Sequence, residues 1–122
     1  MTKTIMIVDD SASLRQVVGI ALKSAGYDVI EAADGQEALK RLDGRKVHLI
    51  VSDVNMPQLD GISMLKQVKT MPAYRFTPVI MLTTEGSDAK KREGQLAGAK
   101  AWVVKPFQPA QLLAAVSKLV LP

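Results

Sequence analysis

The fold is first indicated by residues 5–10, Ile5-Met6-Ile7-Val8-Asp9-Asp10, a short, mostly β-branched run that ends at two acids. Such a run is typical of a buried strand. Apolar residues then recur at helical spacing, with Ser11 as a candidate N-cap and Gly26 as a candidate stop. They are Leu14, Val17, Val18, Ala21, Leu22 and Ala25. This stretch therefore predicts one strand followed by one helix.

The same unit recurs four more times along the chain. The further predicted strands are Val29–Ala32, Leu49–Val51, Pro78–Leu82 and Ala101–Val104. A predicted helix follows each of them: through Glu37, Ala38 and Leu42 to Gly44; along Ile62, Leu65, Val68 and Met71 to Pro72; from Ala89 to Ala97, before Gly98; and after Pro109 through Leu112, Leu113, Val116, Leu119 and Val120. Five such units with near-continuous apolar strands predict an α/β domain, a doubly wound parallel sheet with helices on both faces.

Length and composition set further limits. The chain has 122 residues, of which 48% are hydrophobic, so we expect a single domain spanning residues 1–122 with no output domain. The absence of cysteine excludes disulfides and thiolate metal sites, and it agrees with a cytoplasmic location. The apolar run near the start is too short for a signal-peptide core or a membrane span.

The basic charge leaves several kinds of partner to consider. A net charge of +4 suits nucleic acid, an anionic membrane or an acidic protein, although solubility explains it equally well. No helix-turn-helix or basic arm is recognisable in the sequence. We therefore expect neither nucleic acid nor a membrane as a partner.

Polar side chains follow four of the five predicted strands at the point where each strand ends. They are Asp9 and Asp10, then Asp53, then Thr83 and Thr84, then Lys105. In doubly wound sheets, ligands bind beyond the carboxyl ends of the strands, so these residues are expected to converge on one shallow site. Three neighbouring carboxylates repel each other unless they are partly protonated or surround a cation, and oxygen ligands suit Mg²⁺.

This set of residues is suited to phosphoryl transfer. A carboxylate can act as the nucleophile and form an acyl phosphate, while the metal ion, a lysine and a threonine hydroxyl hold the phosphoryl oxygens. Each acid taken singly is better explained as a helix cap, and the functional interpretation rests on their joint placement. No Gly-rich nucleotide loop follows the first strand, and Asp53-Val54-Asn55 lacks the second aspartate that an aspartyl phosphatase of the dehalogenase type requires.

Taken together, these residues resemble the bacterial response-regulator receiver domain, and the resemblance covers the whole chain. The shared motifs are Asp9-Asp10, Asp53-Val54-Asn55-Met56-Pro57 with Asp60-Gly61, Thr83-Thr84 and Lys105-Pro106-Phe107. The resemblance implies a flavodoxin-like (βα)5 fold with strand order 2-1-3-4-5. It also implies that Asp53 accepts a phosphoryl group from a histidine kinase.

The resemblance further implies a role for each site residue. Mg²⁺ would be bound directly by Asp10 and Asp53, mainly through water by Asp9, and by the backbone carbonyl of Asn55. The phosphoryl oxygens would be held by Thr83, the Thr84 backbone and Lys105, and the Lys105–Pro106 peptide would be cis.

Within this family, the chain is most similar to the CheY-like single-domain chemotaxis regulators. The similarity rests on its length and on Asn55 and Glu85, at positions that influence self-dephosphorylation in such regulators. It implies a monomer that is phosphorylated by a CheA-like histidine kinase and that contacts the flagellar switch protein. Asn55 and Glu85 then suggest a short-lived signal.

One residue departs from the family pattern. The switch aromatic, three residues before the lysine, is usually Tyr or Phe, and here it is Trp102. In the family, Thr83 moves toward the phosphoryl group and the aromatic swings inward behind it. An indole is larger and needs a partner for its N–H. We therefore expect its inward swing to be slower, incomplete, or already present without phosphate. The alternative is that Trp102 is a partly buried core residue without a switch role.

The fourth predicted helix differs from the others. Leu96 is its only large aliphatic residue, and Gly94 lies in its interior, where glycine costs about 1 kcal/mol relative to alanine. We expect this helix to be the least firmly packed and to move. With the fifth strand and last helix it would form the output surface, whose basic residues favour an acidic partner. These basic residues are Lys90, Lys91, Arg92, Lys100 and Lys118.

Two other functions compete with a chemotaxis regulator. A phosphorelay intermediate would pass its phosphoryl group to a histidine phosphotransfer protein and would need a longer-lived acyl phosphate. A pseudo-receiver would bind partners without phosphorylation, but the complete set of acids argues against it.

Overall fold

Five strands alternate with five helices in the computed structural model, which describes residues 2–120. The strands are β1 (Thr4–Val8), β2 (Asp28–Ala32), β3 (Leu49–Ser52), β4 (Val79–Thr83) and β5 (Ala101–Val104). The helices are α1 (Ala12–Ser24), α2 (Gly35–Arg41), α3 (Gly61–Val68), α4 (Asp88–Ala97) and α5 (Pro109–Leu119). The predicted strand–helix units are therefore all present within the described residues.

The strands form one parallel sheet in the order β2-β1-β3-β4-β5, which confirms the predicted flavodoxin-like topology. In the register of the central strands, Ile5 lies beside Leu49 and Val8 beside Ser52. The direction of winding reverses between β1 and β3, so the switch point of the sheet lies where these two strands end. The residues that follow them are Asp9 and Asp53.

Each face of the sheet is covered by a buried apolar cluster, because successive strand residues point to opposite faces. Met6, Ile50 and Met81 pack with residues of α2 and α3 on one face. Ile7, Val51 and others pack with residues of α1 and α5 on the other face. Within residues 2–120, no helix is both long and apolar enough to cross a membrane.

The ends of α1 follow the predicted signals. Ser11 is the N-cap, with its hydroxyl accepting a hydrogen bond from the Leu14 N–H at 3.2 Å. Gly26 adopts a φ of 96° just beyond the helix, a conformation that glycine adopts without strain.

Helix α3 is shorter than predicted. Apolar spacing predicts a helical face that extends to Met71, but the helix ends at Val68, and Met71 packs on the core from the turns that follow. The Met71 N–H bonds the carbonyl of Val68, three residues back, instead of continuing the helical ladder. The residue before a proline is disfavoured in the helical conformation, and Pro72 follows Met71. Apolar spacing alone therefore placed the end of this helix wrongly.

Candidate functional site

The carboxyl ends of β1, β3 and β5 bring Asp9, Asp53 and Lys105 into contact. The Lys105 Nζ lies 2.9 Å from Asp9 Oδ2 and 3.2 Å from Asp53 Oδ2. Only 3% of the Asp9 side chain and 10% of the Asp53 side chain are exposed. Two buried carboxylates this close need a compensating cation, and the ammonium of Lys105 supplies it.

Asp10 adds a third carboxylate to this pair. One oxygen each from Asp9, Asp10 and Asp53 lies within 4.8 Å of the others. Asp10 is exposed, so the group opens to solvent on its side. The set consists of hard, anionic oxygen donors and lacks the nitrogen and sulfur donors that zinc and copper prefer. This acidic triad fits Mg²⁺, as predicted.

The pKa values of Asp9 and Lys105 are both raised at this edge of the sheet. Burial raises the pKa of Asp9 above its ordinary value, although hydrogen bonds from Lys105 and from the Ser11 N–H oppose the rise. Burial also works against the charge of Lys105, yet its hydrogen bond to Asp9 and its attraction to Asp53 prevail and raise its pKa. Lys105 therefore remains an ammonium at neutral pH.

The backbone fixes the carboxylate of Asp53. Its Oδ1 accepts the Val54 N–H at 2.7 Å, and its carbonyl oxygen accepts the hydroxyl of Ser52 at 2.8 Å. Gly61, the first residue of α3, packs directly on the same carbonyl, and a Cβ built at Gly61 would overlap that oxygen. The close approach of α3 to the end of β3 thus requires glycine at this position.

The loop after β4 connects Thr83 with Trp102. The Glu85 N–H donates to Thr83 Oγ1 at 3.1 Å, and the Glu85 carbonyl accepts the indole Nε1–H of Trp102 at 2.9 Å. Thr83 is fully buried, Trp102 is half-buried, and Thr84 is exposed. The two predicted switch residues are therefore linked through the backbone of one residue.

Asn55 and Glu85 approach each other from two different loops. Hydrogen bonds from Ser87 lower the pKa of the Glu85 carboxyl, and the side chain of Asn55 lowers it further. The two residues predicted to tune dephosphorylation therefore lie near each other. The Lys105–Pro106 peptide is cis, as the family resemblance implied.

Two further residues contribute to the site and are not among the predicted site residues. Arg15 donates from its guanidinium to the Asp9 carbonyl at 2.6 Å and pairs with Glu31 at 3.1 Å. No pattern singles out this arginine, because it reaches the site from within α1. Ser52 did carry a signal, since it is a fully buried polar residue at the end of an apolar strand.

The comparison with protein families identifies the chain over most of its length: the response regulator receiver domain matches residues 5–117. Among solved structures, the Vibrio cholerae chemotaxis protein CheY4 is 45% identical, with a TM-score of 0.93, covering 98% of this chain and 99% of that one. The receiver domain of the Pseudomonas aeruginosa PAO1 sensor histidine kinase PA1611 is 27% identical, with a TM-score of 0.90 and 98% of both chains covered. That structure has a magnesium ion coordinated in its active-site cleft.

Some relatives are longer than this chain. The Bacillus subtilis alkaline phosphatase synthesis transcriptional regulatory protein PhoP is 39% identical over 120 residues, which are 98% of this chain and 49% of that protein. The chain therefore spans about half the length of such a regulator.

Proposed function

This chain belongs to the response regulator receiver family, whose members are signalling domains rather than conventional enzymes, and from that premise we propose that Asp53 accepts a phosphoryl group from a histidine kinase. The contact of Lys105 with two buried acids at the open triad is the observation that carries the proposal. Of the three acids, Asp10 lacks the lysine contact and Asp9 is the most buried. Asp53 combines the lysine contact with residual access for a phosphodonor.

In the proposed reaction, a carboxylate oxygen of Asp53 attacks phosphorus, and the new O–P bond forms as the P–N bond to the kinase histidine breaks. The electron pair of that bond returns to the imidazole. Mg²⁺, held by Asp9, Asp10, Asp53 and the carbonyl of Asn55, would neutralise charge on the phosphoryl oxygens.

The residues of the chain contribute donors to the same oxygens. The Lys105 ammonium contacts Asp53 before the reaction. It is therefore placed to bind the negatively charged oxygens of the phosphoryl group after transfer. The Thr83 hydroxyl accepts from the Glu85 N–H, so its own hydrogen remains available for donation. The backbone of Thr84 completes the set.

We propose that the signal leaves through α4, β5 and α5 and that the partner is the flagellar switch protein. The likeness to CheY4 along almost its whole length supports this target. The exposed basic residues of this surface favour an acidic partner segment. They are Lys90, Lys91, Arg92, Lys100 and Lys118. The regulator would then act in the cytoplasm as a monomer, with a CheA-like kinase as its donor.

A phosphorelay intermediate is the second candidate function. The likeness to a receiver domain of a sensor histidine kinase favours it. The two functions differ in the lifetime of the acyl phosphate, because a relay must hold its phosphoryl group until a histidine phosphotransfer protein collects it. Rapid loss of phosphate without a partner protein would support the chemotaxis function, and a phosphoryl group that persists would support the relay.

The test of the phosphorylation site uses acetyl phosphate as donor, with Mg²⁺, and intact-mass measurement. We expect the wild-type protein to gain one phosphoryl group and Asp53→Asn to gain none. Asp60→Asn is the matched control, because Asp60 is an exposed acid that caps α3 near the site and asparagine caps as well. An undiminished gain in Asp53→Asn, or no gain in the wild type, would show that the proposed acceptor is wrong.

A further inference from the structure

Gly94 is the only buried residue of α4, Asp88–Ala97, and it meets the indole of Trp102. A Cβ built at Gly94 would lie 2.5 Å from Cζ3 and 3.2 Å from Cε3 of that ring. Carbon atoms in contact are normally 3.5–4.0 Å apart, so the six-membered ring occupies the space that any side chain at this position would fill. The indole is a rigid fused ring and cannot yield as the end of a flexible side chain would.

The opposite edge of the same indole is tied to the functional site. Its Nε1–H donates to the carbonyl of Glu85, whose N–H donates to the hydroxyl of Thr83. Trp102 therefore lies between the backbone of α4 at Gly94 and the loop residue Glu85, which bonds Thr83 at the end of β4. Moving the ring away from α4 would therefore move its Nε1–H relative to the Glu85 carbonyl that accepts it.

We propose that Gly94 is a positioning residue for the switch, because its missing side chain forms a notch that holds Trp102 inward before any phosphorylation. The swing of the indole is then neither slow nor incomplete, because the ring already lies inward in the unmodified protein. The signalling meaning of the notch rests on the proposed function, but its effect on folding and on the indole does not.

A second helical glycine provides a matched control. Gly19 lies in the interior of α1, where a built Cβ would meet Ile7 Cδ1 at 3.9 Å and Val29 Cγ1 at 4.0 Å, which is ordinary contact. Gly19→Ala should therefore gain helix propensity and raise the folding equilibrium constant about fivefold. If Gly94 were merely a weak point of its helix, Gly94→Ala would behave in the same way.

The experiment measures urea unfolding and tryptophan emission of both alanine variants without a phosphodonor. We expect Gly94→Ala to lower the folding equilibrium constant about tenfold and to shift Trp102 emission to longer wavelength, because the ring is displaced toward solvent. Gly19→Ala should leave the emission unchanged. Gly94→Ala that is as stabilising as Gly19→Ala, with unchanged emission, would overturn the proposal.

A second pair of variants isolates the contact with the indole. In a Trp102→Phe background the second ring is absent, so Gly94→Ala should become neutral or stabilising by circular dichroism. If Gly94→Ala destabilises the protein with Trp102 and does not destabilise it in the Trp102→Phe background, the notch is supported. The same comparison holds if Gly94→Ala does not fold with Trp102 but folds in the Trp102→Phe background. An equal loss in both backgrounds would overturn it.

The switch role has its own readout. With acetyl phosphate and Mg²⁺, Gly94→Ala should change the rate of phosphoryl gain, whereas Gly19→Ala should not. If neither protein gains phosphate, the proposed function fails. The folding and emission results still test whether the notch at Gly94 holds Trp102. If both gain it at the wild-type rate, the notch does not position the switch.

Discussion

Replacing Lys105 by methionine removes the ammonium from two buried carboxylates and keeps the side chain long and unbranched. The exposed side-chain fractions are 17% for Lys105, 3% for Asp9 and 10% for Asp53. Breaking a buried ion pair by removing one partner costs about 3–5 kcal/mol, because a buried charge is left without compensation. We expect the lower end, about 3 kcal/mol of unfolding free energy, since the triad is open to water on the side of Asp10.

The size of this loss should depend on pH. Burial raises the folded-state pKa of Asp9, so the folded protein holds a proton more tightly than the unfolded chain. Stability from this group therefore falls as the pH rises through its folded pKa and is recovered as the pH falls. Lys105→Met removes a hydrogen bond that opposes the shift, so the pKa of Asp9 should rise further. The difference between wild type and variant should be largest at the higher pH, where Asp9 is ionised, and should shrink as the pH falls through the raised pKa of Asp9.

Mg²⁺ should compensate for the missing ammonium. The cation would take over the role of the lysine, and saturation at about 100 times its dissociation constant adds about 2.7 kcal/mol. Binding should be tighter in Lys105→Met than in the wild type, because a positive charge beside the ligand oxygens has been removed.

The assay is urea unfolding followed by circular dichroism, with EDTA or Mg²⁺, at two pH values. Lys118→Met, at an exposed lysine in the last turn of α5, is the control and should change stability by less than about 0.5 kcal/mol. If Lys105→Met were as stable as the control in EDTA at high pH, or if Mg²⁺ did not stabilise it, the electrostatic account of the site would be refuted.

Four other substitutions test three separate parts of the structure. Gly61→Ala places a Cβ on the carbonyl oxygen of Asp53, so we expect it to lower the free energy of unfolding in urea by about 3 kcal/mol. Phosphorylation by acetyl phosphate should be at least about tenfold slower. Wild-type stability and a wild-type rate would refute this. Tyr74→Phe removes a buried hydroxyl that bonds a loop N–H and a loop carbonyl at 2.8 Å each. The free energy of unfolding in urea should fall by about 1–3 kcal/mol. An unchanged unfolding midpoint would contradict the reasoning. Asn55→Ala and Glu85→Ala should each lengthen the half-life of the phosphorylated protein, followed by mass, while changing stability by less than about 0.5 kcal/mol, and a shortened half-life would exclude the proposed role.

The fold could be predicted from the sequence because its local signals agree with one another. The strands are near-continuous apolar runs, since helices cover both faces of the sheet, and Ser11 and Gly26 mark the ends of α1. The end of α3 was predicted wrongly because Met71 has helical spacing but reaches the core from a turn. Spacing shows which residues face the core and does not show which backbone conformation brings them there.

The centre of the site was predictable for a topological reason. Parallel strands end at one edge of the sheet, so polar residues at strand ends meet there, and Asp9, Asp53 and Lys105 do so. The contribution of Arg15 was not predictable, because it depends on how α1 packs over the sheet. Gly61 belongs to one of the motifs, but its contact with the end of β3 exists only in the assembled fold.

Helix α4 shows how local propensity and tertiary role diverge. Its composition predicted weak packing, and Leu96, its one large aliphatic residue, is indeed 82% exposed. Gly94 contributes to that weakness by propensity, yet the same residue gives α4 its buried contact with the indole. Because that indole also bonds Glu85, whose N–H bonds Thr83, the helix that forms part of the proposed output surface is linked to the predicted switch threonine through one side chain. A glycine that weakens the helix on its own is thus the residue that lets it pack against the switch.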